Sequence, residues 1–173
     1  MAPRPAVADS SFLLSFGKAS KLDLLAETPQ FQWLMTPLVR AELKTAPTRN
    51  AAERLIVRGV ISPIELDSDD EPALILLAEW SELVDPGEAE SIAVALANDW
   101  LVAIEDLNAR RLLDRRVGPG HWINCADVLV AAVQAGGLSL READEIFQSL
   151  DVFYAYSKRG IATLAQLSPG LKA

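Results

Sequence analysis

The sequence predicts an α/β protein, a sheet of mainly parallel strands covered by helices on both faces. Two observations predict it. Short apolar runs at Pro5–Ala8, Phe31–Met35, Val60–Leu66 and Leu101–Ile104 recur along the chain. Amphipathic stretches of helical character separate them, and strands separated by helices are the pattern of parallel α/β sheets. No internal repeat, low-complexity tract or Gly/Ser-rich linker divides the chain. Residues 1–173 therefore read as one domain, with a core at about 5–135 and C-terminal helices at about 139–167.

Taken in order, Pro5–Ala8 is the first strand, and Asp9-Ser10-Ser11 supplies N-cap chemistry for a helix through Phe12 to Phe16. A short helix at Lys21–Glu27 stops before Pro29, which disfavours helical backbone in the residue before it. Phe31–Met35 is the next strand. Thr36 then acts as a cap, with Pro37 at the first helical position of a helix running to Lys44. Thr48–Val57 is a helix ending at Gly59. Pro63 interrupts Val60–Leu66 and makes that run an edge strand or a strand followed by a turn.

The acidic run Asp67–Glu71 caps the helix Ala73–Leu83. Pro86-Gly87 punctuates the chain before the alanine-rich helix Glu88–Ala97, and Leu101–Ile104 is a strand ending at Glu105-Asp106. Asn108–Arg116 is a helix with a basic end, followed by a turn at Gly118-Pro119-Gly120. Asn124–Ala135, Leu140–Leu150 and Lys158–Leu167 complete the chain as helices.

Composition narrows the function. Half the 173 residues are apolar and 23% are charged, ordinary values for a globular chain. The 24 Asp+Glu outnumber 16 Lys+Arg, giving −8, which argues against coating nucleic acid through bulk positive charge. It leaves room for an enzyme whose carboxylates hold cations. One cysteine, Cys125, forms no internal disulfide. With a single histidine, His121, most zinc sites are excluded, and a Ser-His-Asp triad would depend on that residue alone. The start of the chain has no apolar run of signal-peptide length. The longest greasy stretches fall far short of the ~20 residues that cross a bilayer. A soluble, cytoplasmic protein is expected.

In open parallel sheets, ligands bind beyond the carboxyl ends of the strands. Asp9 follows the first strand and Asp106 follows Leu101–Ile104. Glu42 lies in the helix after the second strand, and Glu88 and Glu90 open the helix after Pro86-Gly87. Carboxylates converging on one point repel each other unless a cation neutralises them. All-oxygen ligation suits Mg²⁺ or Mn²⁺. Each acid taken singly also reads as a helix cap or a solvated surface group.

These segments carry a resemblance. Val7-Ala8-Asp9-Ser10-Ser11-Phe12 resembles the opening strand and first acid of PIN-domain proteins, and Thr36-Pro37-Leu38-Val39-Arg40-Ala41-Glu42 resembles the segment with their second acid. The helix from Gly87-Glu88-Ala89-Glu90 to Ala97, then Leu101 through Glu105-Asp106 to Arg110, is similar to a VapC-like branch of that superfamily. Gly136-Gly137-Leu138-Ser139 and Phe153–Ser157 are also similar to that branch.

The resemblance implies a three-layer α/β/α sandwich with extra C-terminal helices, and a Mg²⁺- or Mn²⁺-dependent endoribonuclease, often the toxin of a toxin–antitoxin pair. It implies Asp9, Glu42, one of Glu88 or Glu90, and Asp106 as the acids. Alignment on Gly87-Glu88-Ala89, 18 residues before Asp106, favours Glu88. Glu90 stands about 200° further round the helix. Glu105 is a substitute or supplement for Asp106. Mg²⁺ on Asp9 and Asp106 would orient and acidify a water, with Glu42 or Glu88 completing the cation's shell or accepting a proton. A homodimer through the apolar C-terminal helices and a small antitoxin inserting an arginine among the acids are the implied partners.

Arg110 and Arg111, with Arg40, form a candidate basic patch for RNA, against a bland reading as a solvated helix face. The segment from His121 to Asp127 departs from the branch, which carries small Thr and Gly residues there. Asp127 reads as a helix-start acid, Cys125 as a small buried residue, His121 as structural, and Trp122 as a core or interface residue. Two other functions stay open: a catalytically inactive PIN-fold binding or regulatory module, and a phosphatase acting on small phosphates.

Overall fold

A computed structural model describes residues 2–171. Five strands form one all-parallel sheet: β1 (Arg4–Ala8), β2 (Phe31–Met35), β3 (Ile61–Pro63), β4 (Leu101–Ala103) and β5 (Trp122–Ile123). Their order is β3-β2-β1-β4-β5, with β1 in the centre. Val7 is in register with Leu34 of β2 on one side and Val102 of β4 on the other.

Alternate residues of these strands divide the core between two faces. Ala6, Ala8, Trp33 and Met35 pack with Phe12, Phe16, Leu129 and Phe147. Val7, Leu34 and Val102 pack with Trp80, Ile92 and Leu113. The first face is covered by α1 (Ser10–Lys18), α3 (Ala46–Val57), α7 (Cys125–Gln134) and α8 (Leu140–Ser149), and the second by α4 (Glu71–Ser81), α5 (Pro86–Ala97) and α6 (Leu107–Arg116). That division is the expected α/β/α sandwich. Burial on both sides explains why the central strands read as continuous apolar runs.

Local chemistry accounts for the element ends. Asp9 caps α1, Asp70 caps α4 and Asp106 caps α6 through their side chains. Asn124 with Asp127, and Ser139 with Glu142, form reciprocal capping boxes at α7 and α8. α2 (Pro37–Glu42) has its proline in the first turn, and Pro63 ends the edge strand β3 as its missing N–H requires.

Three expectations are corrected. Trp122–Ile123 pairs with β4 as a fifth strand, too short to show any alternation. Lys158–Leu167 is not one helix. Gly160 at φ 78° breaks it, leaving α9 (Phe153–Ser157) and α10 (Leu164–Leu167) on either side. The segment Leu22–Glu27 is helical but of the tighter 3₁₀ form. The apolar side of α8, with Ala143, Ile146 and Phe147, is buried in the chain's own core, which removes it as the face for a second copy.

Candidate functional site

The chain runs outward from β1 to β3 and then returns to place β4 on the other side of β1. The carboxyl ends of β1 and β4 therefore flank the point where the strand order reverses, the usual place for a ligand in an open sheet. Asp9 and Asp106 follow those two ends.

Asp9 is fully buried. Its Oδ2 accepts the Ser11 N–H at 2.8 Å, whereas Oδ1 is buried with no hydrogen-bond partner. Burial raises its pKa, two bonds from Ser11 and one from Ser10 oppose that rise, and the Glu42 charge adds to it. Such an orphaned carboxylate oxygen is costly unless a proton or a cation meets it. Asp106 accepts the Asn108 and Ala109 N–H groups, both at 2.8 Å and both on Oδ1. Helix N-termini thus hold both acids.

Glu42, the last residue of α2, reaches α5, where its Oε1 accepts the Gly87 N–H at 3.0 Å. Glu88 occupies the first turn of α5, and its pKa is pushed up to about 8. Burial is the main cause, followed by the negative charges of Asp9, Asp106 and Asp85. The mutual influence of Asp9, Glu42, Glu88 and Asp106 places them in one electrostatic neighbourhood.

Glu90 is turned elsewhere. Its Oε2 accepts the Leu38 N–H at 3.0 Å and ties α5 to the start of α2.

Glu105 lies behind this group. Its N–H donates to Ser11 Oγ at 3.0 Å, its Oε1 accepts the Cys125 N–H at 2.5 Å, and its Oε2 is buried without a partner. Burial raises its pKa, while the Cys125 bond and the Arg110 charge lower it. Asp127 stays in its capping box, accepting the Asn124 N–H at 2.9 Å. Cys125 is buried, with its thiol pKa pushed up by burial and by Glu105, and His121 serves the sheet by accepting the Val102 N–H on its carbonyl.

The basic residues differ from the expected open patch. Arg110 is only 7% exposed; it donates to the Glu105 carbonyl at 3.1 Å and lies 5.0 Å from the Trp122 ring centre. Arg40 is committed to Glu53 through two bonds of 2.7 Å. Arg111 is exposed.

Two residues of the site escaped the sequence reading. Gly87 looks like punctuation, yet a Cβ there would stand 2.5 Å from both Glu42 carboxylate oxygens. Ser11 looks like part of a cap, yet it holds Asp9 through its N–H and the Glu105 backbone through its hydroxyl. Nothing local signals Gly87, because its contact lies 45 residues away. The adjacent serine in Asp9-Ser10-Ser11 was a partial signal for Ser11.

The fold and this gathering of acids define an α/β domain with a carboxylate site at its switch point. The chain belongs to the PIN-domain family, whose model matches residues 5–162. No curated protein matches the chain. PIN domains are generally nucleases and usually use divalent metals.

The donor set suits such a metal in kind, being all oxygen with a buried Asp9 atom unpartnered. Among the described residues, no three acid, histidine or cysteine side chains stand close enough to form a ready-made cage. Mg²⁺ does not require one, since it is commonly held by one or two carboxylates and retains several waters. Asp9 and Asp106, with Glu88 or Glu42 beside them, are the residues that would hold it.

Proposed function

We propose that the chain is a Mg²⁺- or Mn²⁺-dependent endoribonuclease that hydrolyses RNA phosphodiester bonds, a VapC-like toxin of a toxin–antitoxin pair. The observation that supports it best is the buried, unpartnered Oδ1 of Asp9 at the switch point, with Glu88 pushed to about 8 by burial and by the charges of Asp9 and Asp106. Sites that must bind a cation concentrate negative charge in this way.

When bound, the cation supplies a more acidic water and polarises the scissile phosphate. The protein's own part is positional. Ser11 and the start of α1 hold Asp9, the first turn of α6 holds Asp106, and Gly87 holds Glu42. Before any cation arrives, Glu88 exchanges its proton near neutral pH, which suits it to accept or return a proton there.

The test is cleavage of a structured RNA with Mg²⁺ or Mn²⁺ by wild type, Asp9→Asn and Asp106→Asn. Activity should fall at least ~100-fold in each variant, as expected where a positioned charge is removed from such a site. Undiminished cleavage in both variants rejects the reading.

A second reading, a catalytically inactive binding module, is favoured by one observation: the absence of a three-acid cage among the described residues. Calorimetry with Mg²⁺ and Mn²⁺ separates the two, because a protein that binds neither ion fits the module. The antitoxin and a homodimer belong to the toxin proposal. A co-expressed small partner that blocks Mg²⁺ uptake, and a mass of two chains by light scattering, would support them.

A further inference from the structure

A groove of about 960 Å³ starts beside the acids, with Ser11 and Glu105 in its wall, and runs between α1, α6 and the segment that includes α9. Lys18, Arg110, Arg111, Lys158 and Arg159 line it. Five of the chain's 16 cationic side chains thus face one groove of a protein whose net charge is −8.

Three acids also line the groove, and each is engaged. Asp151 pairs with Lys18 at 2.6 Å, Asp114 accepts from the Trp122 indole at 2.8 Å, and Glu105 is bound to the start of α7. Lys158 lies 4.3 Å from the Tyr154 ring centre. Arg110 is more than nine-tenths buried, and its Nε has no hydrogen-bond partner. The remaining wall is apolar and aromatic, with Leu14, Val152, Ala155, Trp122 and Tyr156.

We infer that this groove binds single-stranded RNA and leads it to the acids, with an unpaired base against the apolar wall and phosphates on Arg111, Lys158 and Arg159. The assignment of RNA rests on the nuclease reading above. The choice of single strand rests on the wall. Duplex RNA hides its bases and offers mainly sugars and phosphates, which need no aromatic or aliphatic surface. Unpaired bases use one, alongside cations that follow the backbone. The volume is near the upper end of ~300–1,000 Å³ ligand pockets, enough for about one or two nucleotides. Concentrating cations in one place also explains how an acidic protein engages a polyanion, because counterion release depends on the local contacts made.

The test is fluorescence anisotropy of a labelled single-stranded oligoribonucleotide with the full chain in EDTA, so that binding is read without cleavage. A Lys158→Ala/Arg159→Ala double variant should bind at least 10-fold more weakly with an unchanged melting temperature. The slope of log affinity against log salt should become shallower by about 1.4, at ~0.7 per phosphate contact on a single strand. Equal affinity and slope in wild type and the double variant overturn the inference, as does binding of duplex as tightly as single strand. Wild type that binds no RNA overturns it as well. Cleavage with Mg²⁺ is scored separately. Groove-dependent binding without cleavage keeps the groove and rejects the nuclease, whereas cleavage untouched by the double variant rejects the groove and keeps the nuclease.

Discussion

Gly87 donates its N–H to Glu42 across 3.0 Å, and its missing side chain leaves the space the Glu42 carboxylate fills. The obstructing atoms are the free end of a flexible side chain, so a larger residue at 87 moves Glu42 rather than the backbone. Gly87→Ala should therefore cost at least ~10-fold in metal-dependent cleavage. Its stability should stay within about 1 kcal/mol, helped by the better helix propensity of alanine. Paired cleavage assays and thermal melts check this, and a collapse in stability would show that the contact is architectural.

Asp9 both caps α1 and leaves a buried oxygen unpaired. Asparagine caps a helix about as well as aspartate, whereas alanine loses ~1 kcal/mol. In metal-free protein Asp9→Asn should thus melt at or above the wild-type temperature and Asp9→Ala below Asp9→Asn. Both should lose Mg²⁺-induced stabilisation, as scanning calorimetry with and without the ion would reveal.

Glu88 sets a pH dependence whose sign is fixed. Its pKa is raised from 4.5 to about 8, so folding favours the protonated carboxyl. That stabilisation is complete below the unfolded value of about 4.5 and is lost as pH rises through about 8. Metal-free protein should melt lower at pH 8.5 than at pH 5.5, and Glu88→Gln should flatten the difference by about 2–4 °C for each kcal/mol involved. Saturating Mg²⁺ at pH 8.5 should restore stability by binding the folded form. Melting curves at the two pH values, for both proteins, give the answer.

Gly17 of α1 meets α3 so closely that a Cβ there would stand 2.2 Å from Thr48 Oγ1. Thr48 is buried, so the helices must separate to admit a methyl group. Gly17→Ala should destabilise by about 1–3 kcal/mol, the usual range for overpacking. Urea denaturation would measure it, and Gly17→Ala/Thr48→Ala should recover much of the loss.

How far the sequence spoke depended on how local each cause was. β1 and β2 were legible because burial on both faces demands unbroken apolar runs. Asp9 and Asp106 were legible because a cap must stand where a strand gives way to a helix. β5 was not, since two residues, Trp122 and Ile123, carry no period at all. The break near Gly160 was missed because the apolar pattern continues across it. Periodicity could not decide between Glu88 and Glu90 either. The difference lies in what faces α5, with Asp9 and Asp106 near Glu88 and the start of α2 beside Glu90. Arg110 reads as a surface cation until Trp122 and Glu105 close over it.

Ser11 links the residue after β1 to the residue before Asp106, one through its amide and the other through its hydroxyl. The tips of two neighbouring strands are thereby latched, and a fluctuation that frees one must release the other. In hydrogen-exchange terms the Glu105 amide, although it sits in a connecting turn, should exchange as slowly as the central strands. Ser11→Ala would then turn a rigid turn into a locally breathing one, with the spacing of Asp9 and Asp106 no longer set in advance of whatever they bind.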